Sequence, residues 1–271
     1  MPNNPGLHQA VGILGFGEVG KAIAKFYKQP KIKDIDHDDG LAGVDVLHIC
    51  IPGNAKFVAN ASKEIKAIKP KLVIIHSTVT LGTTKELTKQ FPKIPIVHSP
   101  IRGVHPHLHK GVKTFVKFIG AQNKKTALTA QKHLQGLGIK TKIVIPAATT
   151  ELAKLVDTTY YGLAIAFHGE VKKWCDQLGV DFETVMTEFN KTYNEGYAKL
   201  GKTNVIRPVL KAPQGGIGGH CVISNAKILK QFFASPALDL ILEYEPAKTK
   251  TGSDSQRSGN VRKKSAGSRK R

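Results

Sequence analysis

Residues 10–20 of the chain read AVGILGFGEVG, and this stretch decides the fold. The apolar run from Ala10 to Leu14 predicts a buried strand, and the pattern from Glu18 to Tyr27 predicts a helix. A GxGxxG turn lies between them. Its first glycine permits the tight turn, its second lets a pyrophosphate approach the backbone, and its third lets helix and strand pack closely. The stretch therefore predicts a dinucleotide-binding βαβ unit.

The glycine-rich turn supplies the six residues expected first to contact a cofactor: Gly15, Phe16, Gly17, Glu18, Val19 and Gly20. The pyrophosphate would lie at the helix N-terminus, where free amides favour negative charge. Asp36 ends the predicted second strand, and a carboxylate there binds the ribose diol and repels a 2′-phosphate. NAD is therefore the expected cofactor. Asp34 takes this role if the strand ends earlier, and a strand–helix turn without a ligand is the structural alternative.

The rest of the N-terminal half alternates apolar runs with helical patterns. Strands are predicted at 31–36, 44–51, 72–76, 94–98, 115–119 and 140–145, and helices at 55–68, 82–90 and 124–137. Such alternation indicates a Rossmann-type, doubly wound parallel sheet over residues 1–146.

The second half changes to a period of about 3.6 residues. From 149 to 178 no proline interrupts the pattern and Gly179 follows, which predicts one helix about 45 Å long. Further helices are predicted at 181–190 and 225–233. We expect a small all-α domain over residues 147–246 that forms a homodimer through the long helix. Residues 247–271 are rich in Ser, Gly, Lys and Arg and predict a disordered basic tail.

Composition bounds the class of protein. The 271 residues are 41% hydrophobic and 23% charged, which excludes a wholly disordered chain. No apolar run approaches the roughly 18 residues that span a bilayer, and no secretory signal is evident. The three cysteines lack zinc-like pairing, so we expect a reducing, cytoplasmic setting and no metal site. The net charge of +21 favours anionic ligands.

Several further segments occur in a recognisable order. Ser77 to Thr84 reads STVTLGTT, Glu151 to Lys154 reads ELAK, and residues 215–221 read GGIGGHC. With Pro52 after the third strand and Glu170 on the long helix, they resemble the STVPxGTT, AExxK and GxGGHC segments of the UDP-glucose/GDP-mannose dehydrogenase family. The resemblance runs from about residue 11 to residue 229.

This resemblance implies NAD-dependent oxidation of a sugar-nucleotide C6 alcohol to a carboxylate, through two hydride transfers. Cys221 would attack the intermediate aldehyde and form a thiohemiacetal. Lys154 would stabilise the developing alkoxide or orient the catalytic water. Thr78 would place the nicotinamide and that water, with Pro52 on the cofactor side. Arg207 would reach a substrate phosphate or sugar.

The sequence also departs from the family pattern. Thr158 replaces a helical asparagine, Ile101 replaces the acid of a PE pair, and Asn225 replaces an aspartate and cannot act as a base. Thr158 and Asn225 stay among the expected catalytic residues. Arg102 and Gly218 join Arg207 as expected substrate contacts. Members of the family have a third, C-terminal domain that binds the substrate nucleotide. In this sequence only the basic tail occupies that position, which indicates a short form of the family.

Some alternatives stay open. One open question concerns the histidines at positions 105, 107 and 109: His105, His107 and His109. On a strand they would lie on one face and could bind a metal ion. In a loop they would either contact an anionic substrate or simply be exposed. The tail would contact a polyanion or be solvated. Two alternative functions stay open for the chain as a whole. One is a β-hydroxyacid-type dehydrogenase that transfers a single hydride, with Lys154 as the general acid/base and no role for Cys221. The other is a non-catalytic protein that binds NAD or a nucleotide. The substrate, the oligomer size and a partner that supplies the third domain are left open.

Overall fold

The computed structural model describes residues 9–103, 106–219 and 221–247. Within these ranges eight strands form one sheet in the order β3-β2-β1-β4-β5-β6-β7-β8. The strands are β1 (Val11–Leu14), β2 (Lys31–Asp34), β3 (His37–Asp38), β4 (Val46–Ile49), β5 (Leu72–Ile75), β6 (Ile96–His98), β7 (Lys117–Gly120) and β8 (Thr141–Val144). Only the β2–β3 and β6–β7 pairs among them are antiparallel. The predicted Rossmann-type α/β fold is confirmed.

Helices cover both faces of the sheet. They are α1 (Glu18–Ala24), α2 (Phe57–Ile68), α3 (Thr83–Gln90), α4 (Leu108–Thr114) and α5 (Lys124–Gly136). Successive residues of β1 serve opposite cores, since Ile13 packs in the layer beneath α1 and α5 and Leu14 in the layer with α2. Burial on both faces explains the continuous apolar runs of the central strands.

The second half is helical. It consists of α6 (Ala148–Leu178), a π-helical segment Glu183–Glu188 that runs into α7 (Phe189–Lys199), a 3₁₀ turn Thr203–Val205, α8 (Cys221–Lys230) and α9 (Pro236–Glu243). α6 packs on α8 and α9 around Leu155, Ala226 and Ile241. A Cβ at Gly162 would stand 2.2 Å from Val222, so this glycine permits the close approach of α6 and α8. No helix of the described residues is long and apolar enough to span a bilayer.

Several predicted boundaries are wrong. The second strand ends at Asp34, and the chain then reverses into β3, so Asp36 lies in the exposed hairpin turn. The reversal is held by Asp39, which accepts the Ile32 amide at 2.8 Å. The helix predicted at 181–190 continues to residue 199, and the one predicted at 225–233 begins at Cys221 and ends at Lys230. Helices α4 and α9 were not predicted. The tail from residue 248 lies outside the described residues.

Candidate functional site

A cleft of about 840 Å³ opens at the carboxyl ends of β1, β2, β4 and β5. This is the edge where open α/β sheets bind ligands. Six of the residues predicted to contact a cofactor line it: Gly15, Gly17, Glu18, Val19, Pro52 and Thr78. The cleft therefore joins the glycine-rich turn with the two loops that follow β4 and β5.

The glycines of the turn have distinct structural roles. Gly15 has a φ of +92° and lies against the backbone after β4, where a Cβ would approach Cys50 to 2.8 Å. A Cβ at Gly20 would stand 2.0 Å from the Gly15 carbonyl oxygen, so Gly20 packs under the turn and does not line the cleft. Nothing lies within 4 Å of a Cβ built at Gly17, and no side chain caps α1. The open space and the N-terminus of α1, which no side chain caps, fit a pyrophosphate.

Asp34, at the end of β2, lines the cleft, as do the carboxylates of Glu18 and Glu64. Its Oδ2 accepts the Phe16 amide at 2.9 Å, and its Oδ1 accepts the Ile35 amide at 2.9 Å. Phe16 itself does not line the cleft, and its amide ties the turn to the strand end. The prediction that Asp36 occupies this position is wrong, because Asp36 follows the strand in the hairpin turn and does not line the cleft.

The loops that follow β4 and β5 contact each other through Gly53 and Thr78, which both line the cleft. A Cβ at Gly53 would stand 1.7 Å from the Thr78 carbonyl oxygen, so only glycine fits beside this loop. The Ser77 hydroxyl donates to the Ile51 carbonyl at 2.6 Å. Sequence reasoning missed Gly53, although it directly follows the singled-out Pro52. Burial raises the pKa of the Cys50 thiol to about 12, so Cys50 stays a protonated wall residue.

A second, smaller cavity of about 240 Å³ lies beside the N-terminal half of α6, and we term it the Lys154 cavity. Arg102 and Asp157 line it with Lys154. Burial lowers the pKa of Lys154, while the nearby Cys221 and Asp157 oppose that shift. Arg102 packs between the rings of Phe115 and Phe118 and donates to the Val116 carbonyl at 3.1 Å. The cavity thus joins a desolvated lysine to a fixed guanidinium.

In the glycine-rich segment that precedes α8, Gly215, Gly218 and Gly219 are exposed and Ile217 is buried. Cys221 is the first residue of α8 and is exposed, as is Gly218, and neither lines the Lys154 cavity. The Ile217 amide donates to the Tyr244 carbonyl at 2.7 Å, which fixes this loop to the end of α9. Asn225 lies one turn after Cys221 and is buried. Its Nδ2 has no hydrogen-bond partner among the described residues.

Two other predicted residues lie apart from the Lys154 cavity. The Thr158 hydroxyl donates to the Lys154 carbonyl at 3.3 Å, within α6 itself, and Thr158 does not line the cavity. The Arg207 guanidinium lies 3.4 Å from the Tyr193 ring centroid and lines a separate groove with Tyr160. We term this the helix groove. Its volume is about 490 Å³.

Sequence reasoning missed a buried polar row under the sheet. The Tyr27 hydroxyl bonds to His48 at 2.8 Å, His48 to His76 at 2.8 Å, and His76 to the Ser99 carbonyl at 3.0 Å. Lys117 donates to the same carbonyl at 2.7 Å. Burial lowers the pKa of both histidines well below the usual value and that of Lys117 to about 7. A signal was present, since histidines recur at or after β4, β5 and β6.

The HxHxH segment does not form a strand in the described residues. His107 directly precedes α4, and His109 within α4 donates from Nδ1 to the Ala22 carbonyl at 3.0 Å. His105 lies outside the described residues. Among those that the structure describes, no group of three His, Cys, Asp or Glu side chains is placed to hold a metal ion.

The sheet, the cleft and the long helix together define a Rossmann-type α/β protein with a helical second half. Residues 148–243 match the family model described as the central domain of the UDP-glucose/GDP-mannose dehydrogenase family. The resemblance to this family is thereby confirmed.

Individual relatives agree with this result. The UDP-N-acetyl-D-mannosamine dehydrogenase of Methanococcus maripaludis is 28% identical over 206 residues, which cover 70% of this chain and 45% of that protein. The chain therefore spans less than half of this curated relative. The solved UDP-D-ManNAc dehydrogenase of Pyrococcus horikoshii superposes with a TM-score of 0.70 at 18% identity, over 87% of this chain and 68% of that one.

The fold is shared more widely. The 3-hydroxyisobutyrate dehydrogenase of Mycobacterium tuberculosis superposes with a TM-score of 0.63 at 14% identity, over 87% of this chain and 91% of that one. At this identity the likeness concerns the fold alone, so the architecture does not distinguish the two classes of dehydrogenase.

Proposed function

We propose that this chain carries the NAD-binding and central parts of an oxidoreductase that oxidises the C6 alcohol of a sugar nucleotide. The observation that carries the proposal is the short path between the two cavities. His98 bonds to the carbonyl of Ser77, which lines the cleft, and to the hydroxyl of Thr150, which lines the Lys154 cavity. A single buried imidazole thus separates the nicotinamide end of the cleft from the lysine.

NAD fits the cleft residues. The amides at the start of α1 would hold the pyrophosphate, and Asp34 would accept hydrogen bonds from the adenosine ribose. Its negative charge would repel a 2′-phosphate, which favours NAD over NADP. When bound, NAD⁺ supplies the hydride acceptor. Pro52 and Thr78 would position the nicotinamide, since both line the cleft and Thr78 directly follows Ser77, whose carbonyl bonds to His98.

The Lys154 cavity would hold the alcohol. Because burial lowers the pKa of Lys154, a neutral amine is more accessible there than at a solvated lysine. The amine can take the hydroxyl proton, and the ammonium that results can stabilise the alkoxide. Arg102 would bind an anionic part of the substrate. Cys221 is close enough to Lys154 for their charges to interact, and its sulfur would add to the aldehyde carbon. The thiohemiacetal so formed would lose a second hydride to NAD⁺ and become a thioester, and water would cleave the thioester to release the acid and the free thiol.

The assay is a panel of UDP- and GDP-sugars with NAD, with NADH absorbance followed over time. Two NADH per alcohol consumed indicate oxidation to the acid, and one indicates a single hydride transfer. Cys221→Ser should abolish acid formation and spare NAD binding. Ser224→Ala, an exposed hydroxyl on the same helix, serves as the control and should retain both. Unchanged acid formation in Cys221→Ser would refute the thioester role.

One observation favours a second candidate, the single-hydride oxidation of a smaller anionic hydroxy acid. The Lys154 cavity has a volume of only about 240 Å³, below the range of about 300–1,000 Å³ typical of ligand pockets. Lys154 and Arg102 suffice for a small hydroxy acid, and Cys221 does not line the cavity. Turnover of such an acid with one NADH per alcohol, unaffected by Cys221→Ser, would select this function.

We also propose that the chain forms a homodimer through α6. Large apolar side chains on this helix are exposed, among them Tyr160, Phe167 and Trp174, and the first two line the helix groove. Patches of this kind mark interaction surfaces. Phe167→Glu should shift the mass measured by light scattering from dimer to monomer. Leu128→Glu is matched, because Leu128 on α5 is equally exposed, and it should stay dimeric. A monomeric unaltered chain would refute the dimer.

A cytoplasmic setting is part of the same proposal. Cys50, Cys175 and Cys221 are all free, as is usual in a reducing compartment.

A further inference from the structure

Two consecutive residues at the start of α6 reach across to the cofactor-binding half. Glu151 is 1% exposed. Its Oε2 accepts the Gly82 amide at 2.7 Å, and its Oε1 accepts both the Thr84 amide at 2.8 Å and the Thr84 hydroxyl at 2.7 Å. These donors stand at the N-terminus of α3, which has no side-chain cap of its own. Three donors and the helix dipole therefore stabilise this buried carboxylate.

Thr150, the residue before it, makes the second tie. His98 Nδ1 lies 2.9 Å from the Thr150 hydroxyl and His98 Nε2 lies 3.1 Å from the Ser77 carbonyl. Because a carbonyl only accepts, the network assigns the proton to Nε2, so Nδ1 is an acceptor. The Thr150 hydroxyl also lies 2.9 Å from the Ala147 carbonyl, and it therefore shares its one proton between that oxygen and Nδ1. Burial lowers the pKa of His98 to about 3, so the ring stays neutral and this tautomer persists near neutral pH.

These ties hold both ends of one segment, residues 77–84, which we term the 77–84 loop. Thr78 in this loop lines the cleft, whereas Lys154 lies one turn beyond Glu151 on α6. We propose that Glu151, Thr150 and His98 are positioning residues that hold the Lys154 amine in register with the nicotinamide end of the cleft. This inference rests on the proposed function, because it names what aligns the two halves of that site.

The physical consequence concerns alignment rather than affinity. None of the three positioning residues, His98, Thr150 and Glu151, lines the cleft itself, so NAD binding should depend little on them. Hydride and proton transfer depend steeply on geometry, and a misplacement of about 1 Å can cost about 100-fold in rate. Loss of either tie should therefore lower kcat far more than it weakens NAD binding.

The test compares Thr150→Val, which is isosteric without the hydroxyl, with Thr150→Ser, which keeps it. We expect Thr150→Val and Glu151→Gln to lower kcat roughly 10- to 100-fold, with a larger isotope effect for deuterated alcohol and an NAD dissociation constant within about twofold of the unaltered chain. Thr150→Ser should restore kcat. Thr88→Val and Glu86→Gln are matched controls on α3, since their partners lie within that helix. Unchanged kcat, or parallel loss of kcat and NAD binding, would overturn the positioning role.

A second measurement does not need turnover. Amide hydrogen exchange should show that NAD slows exchange at the start of α6 in the unaltered chain and not in Glu151→Gln or Thr150→Val. If the unaltered chain binds NAD without turnover, this transmitted protection still supports the ties as the coupling element. If NAD binds without any effect on α6, the positioning role is refuted. Failure of the unaltered chain to bind NAD would refute the proposed function and, with it, positioning toward a nicotinamide.

Discussion

Lys117 supplies the sharpest test of the buried polar row. It is fully buried on β7, and its ammonium nitrogen contacts the carbonyls of Ser99 at 2.7 Å and Pro100 at 3.2 Å. An ammonium group has three donors, whereas a neutral amine has two, which matches the two acceptors. Burial accordingly lowers the pKa of Lys117 from 10.5 to about 7, although Cys50 opposes the shift.

The sign of the pH dependence follows from proton binding. Below pH 7 Lys117 is protonated in both the folded and the unfolded chain. The free energy of unfolding is then at its lowest, because the folded chain must bury the ammonium group. Between pH 7 and 10.5 the unfolded chain binds one proton more than the folded chain, so stability rises by about 1.4 kcal/mol per pH unit. From pH 6 to pH 9 this contribution amounts to about 2.5 kcal/mol.

The perturbation is Lys117→Met, which keeps the length of the side chain and removes its titration. Relative to the unaltered chain, the variant should gain about 2.5 kcal/mol as the pH falls from 9 to 6. For a chain of this size that is roughly 5–10 °C in Tm, measurable by calorimetry. Lys142→Met, an exposed lysine on the adjacent β8, is the control. If the curves for Lys117→Met and the unaltered chain run parallel between pH 6 and 9, the reasoning is wrong.

Three further predictions concern the cleft and the helical core. Gly53→Ala should weaken NAD binding at least tenfold by calorimetric titration, because the new methyl group would overlap the Thr78 carbonyl, and unchanged affinity would contradict this packing. Asp34→Asn should reduce the preference for NAD over NADP about tenfold, or about 1.4 kcal/mol. Asp36→Asn should leave this preference unchanged. The reverse result would show that Asp36, and not Asp34, contacts the ribose. Leu155→Ala should lower the free energy of unfolding by about 2–5 kcal/mol, measured by denaturant titration, and a loss as small as that of the exposed Leu152→Ala would argue against the buried position.

The fold was predictable because its signals are local. Period-2 and continuous apolar runs indicate strands, and a long 3.6-residue period indicates α6, whatever the tertiary contacts. The Asp36 error has a local cause as well, since β2 and the two-residue β3 form a tight hairpin that no apolar pattern distinguishes from a longer strand. Where the strand ended decided which of two nearby aspartates reached the cleft.

The Lys154 cavity shows what a sequence pattern does not contain. Arg102 and Lys154 were each singled out for separate reasons, and only the packing of α6 against β7 brings them to one cavity. His98 and Thr150, which connect that cavity to the cleft, had no motif of their own. Their significance arises from burial and tautomer, and these follow from the three-dimensional contacts alone.

Cavity volume separates the two candidate functions better than the fold does. About 240 Å³ beside Lys154 accommodates the reacting end of a sugar but not a whole sugar nucleotide. For a sugar nucleotide, most of the binding energy must come from groups remote from the reacting carbon, and truncation to the free sugar would lower kcat as well as raise KM. For a small hydroxy acid, Arg102 and Lys154 supply that energy directly, and a nucleotide on the substrate would add nothing. The effect of removing the nucleotide on kcat and KM therefore decides between the two functions. A sugar-nucleotide dehydrogenase depends on binding groups remote from the reacting carbon, whereas a hydroxy-acid dehydrogenase depends only on the residues of the Lys154 cavity.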